Sequence, residues 1–148
     1  MNLPNNTLVL VADGRKMLLL RNHGDADRID LRVEAHREQD NPPNREQASD
    51  APGRSYASVG SHRSAMEATD FHQIAEDHFA AKAADLLRER ALDGDFETLV
   101  IVAPPRTLGE LRKHYHKEVE NRIIEELDKD LTDHPIGEIE AALTRIKV

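Results

Sequence analysis

Asp13 stands where a run of β-prone residues, Thr7 to Ala12, gives way to Gly14. A carboxylate at a strand end can hold a divalent cation, and two-metal phosphodiester cleavage gathers several such groups about one cleft. No second and third carboxylates stand at matching strand ends, and Asp-Gly is also what a tight hairpin selects. The turn is the preferred reading of Asp13, with a metal-dependent nuclease as the lesser one. Asp70, His72, Glu76 and His78 form a second group. His72 and Glu76, four residues apart, share a helix face. Zinc wants three or four converging ligands, so helix capping and packing are preferred and no metal is assigned. The third group is basic. From Arg106 to Arg122, the cations Arg106, Arg112, Lys113, Lys117 and Arg122 outnumber Glu110, Glu118 and Glu120, with His114 and His116 among them. Arg106, Arg112, Lys113, His116 and Lys117 are the anion or RNA candidates, and Arg106 lies just before a helix N-terminus, where free N–H groups favour anions. The alternative is a solvated helix with i, i+4 charge pairs. Ser61-His62 is not a nucleophile–base pair, because adjacent residues seldom orient correctly and no third orienting group is identifiable. No catalytic residue is assigned.

The chain that carries these groups has 148 residues, one domain's worth. Its 20 basic and 28 acidic side chains give a net charge of −8. Such a field repels phosphate, which excludes a uniformly basic nucleic-acid binder and confines any RNA contact to a local patch. The absence of Cys removes disulfides, Cys-zinc sites and thiol catalysis together. No apolar stretch approaches the roughly 20 residues of a membrane span. Met1 to Asn6 lacks the basic start and apolar run of a secretory signal. The expectation is a cytoplasmic protein with no membrane partner and no cofactor.

Hydrophobic patterning supplies the elements. Thr7–Ala12 reads as a strand buried on both faces, Asp13-Gly14 as a type I′ hairpin turn, and 16–21 as the return strand. Residues 29–37 alternate, with Leu31, Val33 and Ala35 on one side, as a half-exposed third strand does. From Arg37 to Thr69 the sequence contains no Leu, Ile or Phe. That segment cannot bury a core of its own, and a long polar loop is expected at about 37–69, with a role. Asp70 opens a long amphipathic helix whose apolar positions are Phe71, Ile74, Ala75, His78, Phe79, Ala83, Leu86 and Leu87, closed by Gly94. Thr98–Ala103 reads as a central strand. Thr107 to Glu110 reads as a capping box opening the next helix. Residues 119–131 fit either helix or strand. Pro135 starts a short helix with Ile136, Ile139, Ala142, Leu143 and Ile146 on its buried stripe. A meander followed by crossovers makes a mixed α/β sheet, with three helices on its faces.

Several stretches resemble one bacterial family, the host attachment proteins. They are Val9–Arg15, Arg37–Pro43, Arg45-Glu46-Gln47, Asp50–Arg54, Ala103–Arg112 and Lys129–Thr132, which together span essentially the whole chain. That family is grouped with bacterial proteins similar to the middle domain of archaeal and eukaryotic peptide-release factors. The resemblance implies one domain over 1–148 with a ribonuclease-H-like, five-stranded mixed sheet, its last strand near 123–127. It also marks Arg37, Gln39, Arg45 and Arg54 as family-motif loop positions. In the release factors, a loop before the long helix carries Gly-Gly-Gln, which assists hydrolysis of peptidyl-tRNA. The corresponding stretch here is Val59 to Ala65, with Gly60, Ser61, His62, Arg63 and Ser64 at its centre. One Gly remains and the Gln is absent. The expectation is therefore a non-catalytic binding module that contacts ribosome or RNA. The alternative is a protein-interaction module in attachment or a stress response. The sequence sets no oligomeric state.

Overall fold

The computed structural model describes residues 3–39 and 61–145, with side chains of the long helix from Gln73 onward. In chain order the elements are β1 (Leu8–Ala12), β2 (Lys16–Asn22), β3 (Leu31–Glu38), α1 (Ser61–Leu92), β4 (Leu99–Ala103), α2 (Pro105–His114), α3 (Lys117–Glu120), β5 (Ile123–Asp128) and α4 (Ile136–Arg145). The strands form one mixed sheet in the order β3-β2-β1-β4-β5. β1 pairs antiparallel with β2 and parallel with β4, and β4 pairs parallel with β5. The mixed five-stranded α/β sheet expected from the sequence is present, and β5 begins at Ile123 as the resemblance implied.

The two central strands are apolar at every position because both faces are covered. Leu8, Leu10, Leu99 and Ile101 pack with Phe79, Ala83, Leu87, Leu108 and Leu111 beneath α1 and α2. Val9, Val11, Val100 and Val102 pack on the other face with Ile139, Ala142 and Leu143 of α4.

Several expectations are corrected. The polar loop set at 37–69 is narrower, since β3 runs to Glu38 and α1 begins at Ser61. Its Arg45, Arg54 and Gly60 lie outside the described residues. The third strand does not alternate throughout. Leu19 pairs with Ala35 and Leu20 with Val33, leaving Glu34 as the extra residue of a bulge. Ala35 therefore joins the α1 side of the core while Leu31 joins the α4 side. The buried stripe of α1 is Phe79, Ala80, Ala83, Ala84, Leu87 and Ala91, whereas Ile74 and His78 are exposed. Small alanines let the helix approach the sheet closely, which hydropathy alone underweights. Helix α2 starts at Pro105 with Pro104 as its cap residue, so Thr107 is buried inside the first turn and makes no cap. Four helices, not three, are described, because a single turn, α3, intervenes before β5. Gly94 does end α1, at φ +70°, with its N–H on Ala91 O and that of Asp95 on Arg90 O. This is the Schellman arrangement.

Candidate functional site

The parallel strands β1, β4 and β5 end on one edge of the sheet, at Ala12, Ala103 and Asp128. Ligands of open α/β sheets commonly sit outside such carboxyl ends. Three of the motif stretches leave the sheet here: Asp13–Arg15, Pro104–Arg106 and Lys129–Thr132.

Asp13 is the hub of this edge. Its Oδ1 accepts the backbone N–H of Arg15 and of Lys16, both at 2.7 Å. Its Oδ2 accepts the Thr132 hydroxyl at 2.7 Å, and that hydroxyl also lies 3.0 Å from Asp130 Oδ1. The Lys16 ammonium pairs with Asp133. That bond holds the ammonium above and the Asp133 carboxyl below their ordinary values. The turn itself differs from expectation: Gly14 does not adopt positive φ, which among the described residues only Asn6 and Gly94 do. The Asp13 side chain closes the turn instead. Gly14 is small for another reason, because a Cβ there would meet Glu76 Cδ at 2.7 Å.

The same edge anchors α1. Gln39, just past β3, gives its backbone N–H to Arg15 O at 2.7 Å and its side-chain amide to Ala75 O at 2.8 Å. Ala75 is thus fastened to the hairpin. The 14 helical residues before it, at about 1.5 Å each, carry α1 some ~20 Å beyond that anchor. Ser61, His62, Arg63 and Ser64 lie in the first turn of α1, at its far end.

The basic candidates are placed differently. Arg112 grips Glu126 of β5 through Nη2 at 2.9 Å and Nε at 3.2 Å. Lys113 bonds Glu110 at 2.9 Å. These bonds raise both cations above their ordinary pKa values. His116 caps α3, its Nδ1 accepting the Glu118 N–H at 3.0 Å. Arg122 pairs with Glu118 at 3.2 Å and lies over the Phe96 ring. Arg106 and Lys117 make no ion pair among the described residues. The patch therefore exists in sequence, but its cations are largely committed to carboxylates. Of the family-motif positions, Arg37 is exposed on β3 and Gln39 forms the tie above. Of the acidic group at the start of the long helix, Glu76 lies against Gly14 and His78 is exposed, while the Asp70 and His72 side chains lie outside the described residues. Among the described residues, no three His, Asp or Glu side chains gather as a metal ion requires, and no helix is long and apolar enough to cross a membrane.

A further polar cluster lies at the opposite edge. Arg21, only 8% exposed, reaches Glu34 through Nε at 2.9 Å and Nη2 at 3.1 Å. It also reaches the Asp95 carboxylate at 2.6 Å, the Asp95 carbonyl at 2.8 Å and the Asn6 carbonyl at 3.3 Å. Arg90 completes the ring on Glu34 at 2.9 Å and Asp95 at 3.3 Å. All five Arg21 donors are satisfied. The bond from Arg21 holds the Glu34 carboxyl low, against burial. Burial opposes the Arg21 charge, and its two carboxylate partners more than offset that. The sequence holds one signal for this cluster, a charged Arg directly after the apolar Met17–Leu20 run of β2.

A family model described as bacterial archaeo-eukaryotic release factor family 12 matches residues 6–143. No curated protein matches the chain.

Proposed function

The chain belongs to bacterial archaeo-eukaryotic release factor family 12, and from that membership we propose that it is a non-catalytic binding module that contacts the ribosome or its RNA. The observation that carries this reading is the length of α1 beyond its anchor at Ala75. The stretch matching the release-factor Gly-Gly-Gln region runs into the first turn of this helix, far from the anchoring edge. Such a placement suits insertion into a partner. Without Gly-Gly-Gln, the stretch keeps a position while lacking the side chain that assists hydrolysis.

The test is co-sedimentation of the purified protein with ribosomes at low and moderate salt. Association that weakens as salt rises is expected, because phosphate contacts release counterions. Folded protein that stays in the supernatant at both salts overturns the reading. In that event the host-attachment likeness points to the alternative, a protein-interaction module in attachment or stress, which a pull-down dominated by one non-ribosomal protein would support.

A further inference from the structure

Beside the anchoring edge, a cleft of about 410 Å³ opens between the end of β3 and the middle of α1. Its apolar lining is the half-buried Leu86, with Met17 and Phe79 almost wholly in the core at 3% and 4% exposed. Arg37 stands on the strand side and Lys82 on the helix side, and both are exposed. Among the described residues neither makes an ion pair. Arg37 Nη1 bonds the His36 carbonyl at 2.9 Å, the one bond of its guanidinium among the described residues. Lys82 has an acid three residues on, Asp85, but that carboxylate is turned to Arg88 at 3.8 Å. Among the described residues Glu38 is the one acid lining the cleft, and its field also acts on Lys16 across the strand pair.

This is the reverse of the 106–122 patch, where the cations outnumber the acids in sequence but Arg112, Lys113 and Arg122 are held by Glu126, Glu110 and Glu118. Cations already bonded to carboxylates release little on meeting phosphate, while uncommitted ones gain the full counterion release. Two exposed cations beside a small apolar surface fit an anionic group with an apolar body. A nucleotide is such a group: its base can lie on that surface while the flanking phosphates meet the rim. An extended acidic peptide fits less well. Strand addition to β3 is opposed by the bulge at Glu34 and by the charged Arg32, Glu34, His36, Arg37 and Glu38 along that edge strand.

We propose that the cleft between Arg37 and Lys82 binds single-stranded RNA, with a phosphate between the two cations and one base against Leu86. The proposal rests on the ribosome or RNA reading and names the surface that performs it. It moves the RNA contact from the 106–122 patch to the junction of β3 and α1.

The experiment is fluorescence anisotropy of a labelled oligouridine of about eight nucleotides, within the usual span of single-strand sites. It is titrated with the full chain between about 50 and 200 mM salt. Arg37→Gln with Lys82→Gln is expected to weaken binding and to lower the slope of log affinity against log salt by about 0.7 for each cation removed. Arg112→Gln is expected to leave both unchanged. An Arg37→Lys variant keeps the charge and is expected to retain the slope. Circular dichroism confirms that each variant is folded. No oligouridine binding by the folded wild type at low salt, equal binding by the double variant, or a labelled oligoglutamate competing as well as RNA overturns the proposal. Ribosome pelleting of the double variant separates the two readings. Loss there supports both, whereas full retention leaves the ribosome reading standing and removes the cleft.

Discussion

Thr132 donates its hydroxyl to Asp13 Oδ2 at 2.7 Å, joining the first turn of the sheet to the segment that leaves its last strand, 119 residues away. Thr132 is 6% exposed, so little water can replace the bond. Thr132→Val keeps the shape and removes the donor. A hydrogen bond to a charged acceptor contributes about 1.5–3 kcal/mol, and the lower end applies here because Asp13 keeps the Arg15 and Lys16 amides. Urea unfolding should show a loss of about 1.5 kcal/mol with an unchanged slope. A loss below about 0.3 kcal/mol would mean that the two motif segments are held together by something else.

The ring of Arg21, Glu34, Arg90 and Asp95 makes stability depend on acid. Glu34 has a folded pKa below its ordinary 4.5. Its contribution is therefore fully present above about 4.5 and is lost as pH falls through the folded value. Arg21 moves above its ordinary value and stays charged throughout that window. Glu34→Gln should destabilise the protein by about 1 kcal/mol at neutral pH, since Arg21 and Arg90 both keep Asp95 and water screens the partly exposed Glu34. It should also flatten the acid limb of a stability–pH curve below 4.5. An unaltered acid limb in Glu34→Gln would assign that limb to other carboxylates.

Three glycines should rank in cost by what they face. At Gly24 a Cβ would lie 1.9 Å from the Arg28 carbonyl oxygen, a backbone atom that cannot step aside. At Gly94 the space is open but φ is +70°. At Gly14 only the flexible Glu76 side chain is in the way. Gly24→Ala should therefore be the worst, above about 3 kcal/mol or failing to fold. Gly94→Ala should lose about 1–2 kcal/mol and Gly14→Ala less than about 1 kcal/mol. Thermal melting of the three variants reads the order directly, and Gly14 exceeding Gly94 would contradict it.

The legible part of this fold is the part set by burial on both faces. Leu8–Ala12 and Leu99–Ala103 are uniformly apolar, and uniform burial leaves one reading. The illegible parts depend on single backbone departures. One bulge at Glu34 reverses which face Ala35 serves, and no periodicity in residues 29–37 announces it. Ile123–Asp128 carries apolar spacing that suits a helix, and only pairing with β4 decides for a strand. At the edge, Asp-Gly points to a turn and the bonds of Asp13 agree, while the turn type is not legible because the Asp13 side chain helps to close it. The basic excess over 106–122 is legible in the sequence, but spacing does not reveal that Glu126, in another element, takes Arg112. The Arg21 ring escaped for the same reason, since its members come from β2, β3, α1 and the turn after it.

Asn22 should be intolerant of charge. It is fully buried, and its Nδ2 faces the carbonyls of Leu3 at 2.9 Å and Pro4 at 3.2 Å. Its Oδ1 accepts from Gly24 N at 3.0 Å and Asp30 N at 2.9 Å. Asn22→Asp keeps the two acceptor bonds but turns a carboxylate oxygen toward two carbonyls in a dry site. The loss should exceed that of Thr132→Val, at about 3 kcal/mol or more, and should shrink as pH is lowered and the carboxyl protonates. A loss that does not change with pH would show that water enters the site.

The last expectation concerns Asp13 and divalent cations. Magnesium and manganese take several oxygen ligands in near-octahedral geometry, so a site at this edge would need more than one carboxylate with free lone pairs. Both Asp13 oxygens have donors, two backbone amides on one and Thr132 on the other. The neighbouring Asp130 also faces the Thr132 hydroxyl, and Asp133 is taken by Lys16. Three of the about four lone-pair sites on the Asp13 carboxylate are taken, so it offers an ion one at most, and among the described residues no three His, Asp or Glu side chains gather to complete a site. A cation bound at a hundredfold excess over its dissociation constant would add about 2.7 kcal/mol to stability, several degrees for a domain of this size. The melting temperature should instead stay unchanged on adding either ion, at low and at millimolar concentration. A rise of several degrees that disappears in Asp13→Asn would reinstate the strand-end carboxylate as a ligand and with it the nuclease reading.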